Sequence, residues 1–110
     1  METDRELLEA AAQAAGMQHK WHADGLLVDE RCGVWNPLTD DGDALRLAVK
    51  LGMTVVVDLD DGCTRILNEF EAVILRHMHF HDGPEKATRH AIVRAASLRA
   101  AASLQETKNG

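Results

Sequence analysis

Residues 35–47 constrain the fold of this chain more than any other stretch, because they combine a forced turn with a helix start. Pro37 fixes its own φ and restricts Asn36 to an extended conformation, so the strand-like run before them must turn here. Thr39 or Asp40 can then accept a hydrogen bond from a free amide of the next turn, as an N-cap residue does. The stretch therefore predicts a strand end, a sharp turn and the capped start of a helix.

Asp40, Asp41 and Asp43 lie in or near the first turn of that helix, where the helix dipole favours negative charge. Three clustered carboxylates also suit a metal ion or a magnesium–phosphate ligand, but the capping pattern favours a solvated helix start. As an exposed acidic cluster, these residues are the candidate interaction surface. Apolar residues at helical spacing, which are expected to face the core, follow at Leu45, Ala48 and Val49.

Negative charge is concentrated in the middle of the chain. Residues 24–61 carry nine acidic and three basic residues, a net charge of −6 that equals the charge of the whole chain. General nucleic-acid binding needs a basic surface that neutralises phosphates, so this section argues against that function. An acidic face suits a basic protein partner, or serves only solubility.

The length and the residue usage predict one domain over residues 1–110, with a frayed tail at 105–110. Aromatic residues make up only 4% of the chain, so alanine and leucine must fill much of the core. The sequence shows neither an apolar run long enough for a membrane span nor a secretory signal. Cys32 and Cys63 lack the CxxC spacing, and we expect a reduced, cytoplasmic protein.

Alternating and β-branched segments predict an antiparallel sheet of about four to five strands. Helix caps and helical periodicity predict three helices that cover this sheet, which gives a layered α/β/α sandwich of the α+β class. The predicted helices span residues 4–15, 40–51 and 84–104, and the predicted strands span 17–22, 26–35, 53–58, 63–68 and 71–80. The predicted order along the chain is α-β-β-α-β-β-β-α.

His77, His79 and His81 form the most chemically suggestive cluster in the sequence. If the strand continues to residue 81, the three imidazoles share one face, with Met78 and Phe80 on the other. Their nitrogens could then bind zinc or another transition metal. The spacing fixes no fourth ligand, and same-face neighbours lie about 7 Å apart along a strand, so direct chelation requires a bend. The alternative is an ordinary half-buried strand, for which no cofactor is expected.

Trp21 and Trp35 are the only two tryptophans, and each lies on a predicted strand. A single Trp on a small sheet usually anchors the core. The alternative is that these rings stack a base or a sugar. A second functional hypothesis follows, in which the chain sequesters a nucleotide-like small molecule while His or Arg side chains contact its phosphate.

Three further segments of the sequence are informative in combination. They are the amino-terminal Asp4-Arg5-Glu6-Leu7-Leu8 helix, the Trp35-Asn36-Pro37-Leu38-Thr39-Asp40 turn, and Arg89-His90-Ala91-Ile92-Val93-Arg94-Ala95-Ala96 in the last helix. This combination resembles small bacteriophage and prophage proteins of the phage ABA-sandwich kind, and the similarity covers most of the chain. The resemblance implies a layered α+β fold and a phage-encoded accessory protein in the cytoplasm of a bacterial host. It implies no reaction, cofactor or catalytic residue.

The leading hypothesis is a binding protein without catalytic activity that contacts a host or phage protein through its acidic section. No nucleophile lies next to a base in the sequence, since Ser97 and Ser103 sit on an alanine-rich helix without a glycine elbow. Small-ligand sequestration and metal binding through the histidines are the alternatives. The alanine-rich last helix is compatible with a homodimer, and neither nucleic acid nor a membrane is an expected partner.

Overall fold

The computed structural model describes residues 3–22, 27–29 and 33–109, except the side chains of residue 29 and of residues 103–109. Within these ranges the chain forms three helices: α1 (Asp4–Ala14), α2 (Asp41–Lys50) and α3 (Pro84–Asn109). It also forms six strands: β1 (His19–Trp21), β2 (Leu27–Asp29), β3 (Gly33–Val34), β4 (Thr54–Asp58), β5 (Cys63–Leu67) and β6 (Val73–Met78). Cys32 lies outside the described residues, and Cys63 is buried.

The described strands form two separate antiparallel sheets. β1, β2 and β3 make the first sheet, and β4, β5 and β6 make the second, each in chain order. The observed order of elements is α-β-β-β-α-β-β-β-α. The predicted α+β class with three helices is therefore confirmed, whereas the predicted single sheet of four to five strands is wrong.

The segment over residues 26–35 explains much of this difference, because it was counted as one strand of the sheet although the sequence indicates a turn near residues 30–33. β2 and β3 fold back on each other there, with Val28 opposite Val34 and Asp29 opposite Gly33. Gly33 has a φ of +83°, a left-handed conformation that glycine adopts without steric cost. The extra strand gives the first part of the chain a small sheet of its own, which α2 separates in sequence from the second sheet.

α3 is the element against which most of the molecule packs. It contacts α1, α2, β5 and β6 extensively and β4 much less. Its buried residues are mostly small, which lets these neighbours approach closely: Ala87, Ala91, Ile92, Val93, Ala95, Ala96, Ser97 and Ala100. The helix continues to Asn109, beyond the predicted end at residue 104. Neither α3 nor the other described helices are long and apolar enough to cross a membrane.

One hydrophobic core joins the two sheets. Thr3 is the N-cap residue of α1, and its hydroxyl accepts a hydrogen bond from the Glu6 amide at 3.2 Å. Leu7 of α1 then packs in one cluster with Leu27 and Trp35 from the first part of the chain. The same cluster contains buried residues of α2, β5 and α3. Residues from both sheets therefore pack in the same hydrophobic core as the helices.

Candidate functional site

The turn before α2 is held by a network of hydrogen bonds at the helix start. Asp40 is the N-cap residue, and its carboxylate accepts a hydrogen bond from the Asp43 amide at 2.8 Å. Asp43 is buried, and its carboxylate accepts from the Asn36 amide at 2.9 Å and from the Arg46 guanidinium at 2.6 Å. The side chain of Asn36 accepts from the Leu38 amide at 3.0 Å. The predicted turn and capped helix are confirmed, with Asp40 as the cap.

Asp41 has a different partner from the two neighbouring aspartates. Its exposed carboxylate lies 2.6 Å from Nη1 of Arg89 on α3, and Nε of Arg89 donates to the Leu38 carbonyl at 2.9 Å. These contacts fasten the start of α2 to α3. Among the described residues, no group of three His, Cys, Asp or Glu side chains is placed to share a metal ion. Of the predicted acidic surface, Asp40 and Asp41 are exposed and Asp43 is buried.

α2 exposes two of the apolar residues that the sequence predicted to face the core. Leu45 is 64% exposed and Val49 is 72% exposed, whereas Leu47 is only 2% exposed. The predicted apolar stripe is therefore wrong at Leu45 and Val49 and right at Ala48, which is buried. The physical reason is that α2, which packs against α3, buries only one narrow face, formed by Asp43, Ala44, Leu47 and Ala48. Leu45 and Val49 lie outside this face and stay at the surface.

A groove lies between α2 and β4, with the first half of α3 as its floor. Its volume is ≈ 480 Å³, and its surface is mostly apolar. The apolar side chains that define it come from all three elements and from the residue just after β4: Leu45, Ala48, Val55, Val57, Leu59 and Ile92. Leu45, Val57 and Leu59 are also exposed to solvent. These three residues form one apolar patch along the walls of the groove.

One end of the groove is acidic. Asp41 and Glu85 line it at the starts of α2 and α3. Asp60 follows Leu59, which lines the groove, in the turn after β4. Arg89 also lines the groove here, but its guanidinium is held by Asp41 and by a backbone carbonyl. The ion pair offsets the charge of Asp41, so Glu85 gives the residues that line this end a net negative charge.

The turn between β4 and β5 adds to this negative charge. The Asp61 amide donates to the Asp58 carboxylate at 3.0 Å, and the Arg65 guanidinium donates to it at 3.1 Å. These hydrogen bonds hold the pKa of Asp58 below its ordinary value, so the carboxylate stays ionised at neutral pH. The Arg65 guanidinium also lies 3.7 Å from the Asp61 carboxylate, and Asp60 is a third acidic residue of the same turn. The turn therefore carries net negative charge.

The three histidines that were predicted to share one strand face do not come together. β6 ends at Met78 and the chain then turns through residues 79–82, so the prediction of a strand that reaches His81 is wrong. The Gly83 amide donates to the His79 carbonyl at 2.8 Å, which commits the chain to the turn that leads into α3. His81 is exposed within this turn. The described residues give the three imidazoles no common site.

His79 and His77 face α3 and have separate partners. Nε2 of His79 lies 2.8 Å from Oγ1 of Thr64, which lies 2.7 Å from Oγ1 of Thr88. Thr64 is fully buried, so this hydroxyl–imidazole pair is an internal link that no substrate can reach. The His77 ring stacks on His90, with ring centroids 5.8 Å apart. Burial, followed by nearby positive charge, lowers the pKa of His77 from its ordinary value of 6.5.

The two tryptophans have different environments. Trp35 is only 6% exposed and belongs to the core, so it offers no face on which a ligand can stack. Trp21 is half-buried on β1, and the guanidinium carbon of Arg5 lies 4.2 Å from the centroid of its ring. The small-ligand hypothesis therefore keeps only Trp21 as a stacking residue, and it stays a prediction.

Sequence reasoning did not predict the groove, because its walls come from residues that lie far apart in the chain. Leu45, Val57 and Ile92 belong to three different elements that only the tertiary fold brings together. The one signal in the sequence is the Val55-Val56-Val57 run, since consecutive apolar residues are typical of a strand with contacts on both faces.

Compared with protein-family models, with curated proteins and with solved structures, the chain gives no match. The resemblance to phage ABA-sandwich proteins therefore stays a prediction from sequence.

Proposed function

We propose that this chain is a non-catalytic accessory protein that binds another protein in the groove between α2 and β4. The observation that carries the proposal is the apolar patch of Leu45, Val57 and Leu59, three large side chains exposed on the walls of one groove. Large apolar side chains that are grouped at the surface mark interaction sites. In keeping with the bacteriophage resemblance, the proposed partner is a host or phage protein in the bacterial cytoplasm.

The groove favours a partner that is apolar along its length and basic at one end. Ala48, Val55 and Ile92 offer apolar contacts between the patch and the floor. Asp41, Glu85 and Arg89 line the end formed by the two helix starts, and together they carry one net negative charge there. Apolar burial supplies affinity, whereas complementary charge fixes the orientation of the partner and speeds its association. This chemistry agrees with the basic partner that the acidic section of the sequence predicts.

Two substitutions on α2 test the proposal, because they add the same charge at positions that differ in their relation to the groove. Leu45→Glu places a carboxylate in the groove, whereas Val49→Glu places one on an exposed part of the same helix that does not line it. Each immobilised protein is incubated with bacterial lysate prepared with and without phage infection. We expect the wild type and Val49→Glu to retain the same protein and Leu45→Glu to lose it.

The two variants must be folded for this comparison to count, and far-UV circular dichroism with thermal unfolding checks that. Both substitutions replace exposed residues, so we expect the three proteins to unfold at similar temperatures. Equal retention of the partner by all three proteins, or no retained protein with the wild type, would contradict the proposed function.

A further inference from the structure

β4 is the edge strand of the second sheet that faces the groove. It pairs with β5 on one side, and no described strand pairs with it on the other. In an antiparallel pair, alternate residues of an edge strand direct their N–H and C=O groups away from the paired strand. β4 therefore presents a row of backbone donors and acceptors to the groove.

The two edges of this sheet differ in how they are protected. β6, at the opposite edge, carries the exposed Arg76, and its register with β5 is irregular near one end. β4 pairs with β5 in an unbroken register, and residues 55–57 in its centre are all valine. Charges, prolines and bulges are the means by which edge strands avoid pairing with other chains. The centre of β4 has none of these, so it is the edge that is open to a further strand.

The groove separates α2 from β4. α3 packs mainly on β5 and β6 and contacts β4 much less. α2 packs beside α3, and its Leu45 and Ala48 line the groove together with Val55 and Val57 of β4. The strand with the unpaired edge and the apolar residues of α2 therefore border the same groove.

We propose that the groove binds an extended segment of the partner protein as a fourth strand alongside β4. Main-chain hydrogen bonds hold the segment to β4, and its alternate side chains point towards α2, where Leu45, Ala48 and Ile92 provide apolar contacts. A Lys or Arg at one end of the segment lies beside Asp41 and Glu85. This mode of binding rests on the proposed function, because it specifies the partner chemistry for the same groove.

A single strand suits the groove better than a helix. A partner helix is about 10–12 Å wide and leaves the backbone groups of β4 without partners. An extended segment satisfies those groups and fills one strand position.

A library of displayed short random peptides tests the proposal. Peptides are selected on the wild-type protein and counter-selected on Leu45→Glu, with Val49→Glu as the matched control for added charge. We expect the enriched peptides to carry apolar residues at every second position and Lys or Arg near one end. On binding, amide exchange measured by NMR should slow at alternate residues of β4.

Backbone N-methylation of an enriched peptide identifies which edge of the peptide pairs with β4. Methyl groups along one edge should weaken binding by about fivefold for each hydrogen bond that they remove, whereas methyl groups along the opposite edge should have little effect. Equal effects of the two methylation patterns would overturn the proposal.

Three further outcomes separate this inference from the proposed function. One outcome is that the enriched peptides carry their apolar residues at helical spacing and that amide exchange in β4 does not slow. This outcome would overturn strand addition while leaving the groove as a protein-binding site. No enrichment on the wild type over Leu45→Glu would contradict both. Slow exchange in β4 that depends on protein concentration, together with a dimer in sedimentation, would assign the groove to a second copy and overturn the extended partner segment.

Discussion

At the scale of single residues, the buried hydroxyl of Thr64 links three parts of the structure. Its Oγ1 contacts Nε2 of His79 at 2.8 Å and Oγ1 of Thr88 at 2.7 Å, which joins β5, the end of β6 and α3. Thr64→Val keeps the shape of the side chain but removes both hydrogen bonds. We expect the free energy of unfolding to fall by about 1–3 kcal/mol, because buried polar groups that lose their partners cost about this much. Urea unfolding measures the change.

Thr54→Val is the matched control for this experiment, because Thr54 is an exposed residue at the start of β4. The same substitution there should change the free energy of unfolding by no more than about 0.5 kcal/mol. Equal effects at Thr54 and Thr64 would show that the buried hydrogen bonds contribute nothing measurable.

His77 makes the stability of the fold depend on pH. Burial has the largest effect on its pKa, the positive charges of His90 and Arg94 act in the same direction, and Asp82 opposes them, so the folded pKa lies below 6.5. The unfolded chain therefore binds this proton more tightly than the folded chain does. The contribution of His77 to the free energy of unfolding is complete above pH 6.5, and it is lost as the pH falls towards the folded pKa.

Urea unfolding at pH 7.5 and at pH 5.5 checks this prediction (both values lie above the range where most carboxylates titrate, about pH 4). We expect His77→Gln to reduce the difference in stability between the two conditions, whatever its effect at a single pH. The same difference in the wild type and in His77→Gln would contradict the assignment.

At the scale of elements, the existence of each helix could be predicted, but the side of α2 that is buried could not. The cap at Asp40 and the turn at Pro37 depend on neighbours in the chain, and both are confirmed. Burial of Leu45 depends on whether another element covers it, which local spacing does not determine. The same limit applies to the sheets, because the fold-back at Gly33 depends on pairing between β2 and β3.

The small residues of α3 set how closely its neighbours approach. Ala96 has no exposed surface and lies in the core between the surrounding elements. We expect Ala96→Leu to lower the free energy of unfolding by about 1–3 kcal/mol, because extra methylene groups in a packed core force neighbouring elements apart. Ala101→Leu, at an exposed position on the same helix, should change it by no more than about 0.5 kcal/mol. Similar urea midpoints for the two variants would contradict close packing at Ala96.

At the scale of the whole molecule, the candidate site arises where elements from different parts of the chain leave a gap. α3 packs on the second sheet and α2 packs beside α3, and the groove is left between α2 and β4. The acidic composition of residues 24–61 is visible in the sequence, and Asp41 from this section does line the groove. The apolar walls beside that charge are set by packing, which explains why the sequence indicated a basic partner but not its binding site.

The shared hydrophobic core predicts that the two sheets unfold together. Trp35 lies after the first sheet and packs in the same cluster as Ile66 of the second sheet and Val93 of α3. Trp21→Phe leaves Trp35 as the only tryptophan, so fluorescence reports the first part of the chain while far-UV circular dichroism reports the helices. We expect the two urea unfolding curves to coincide, because loss of either sheet removes one side of a common core. If the fluorescence of Trp35 changes at a lower urea concentration than the helical signal, the first sheet unfolds separately and the core does not act as one unit. The helical signal of the wild type, measured alongside, shows whether Trp21→Phe has itself altered the transition.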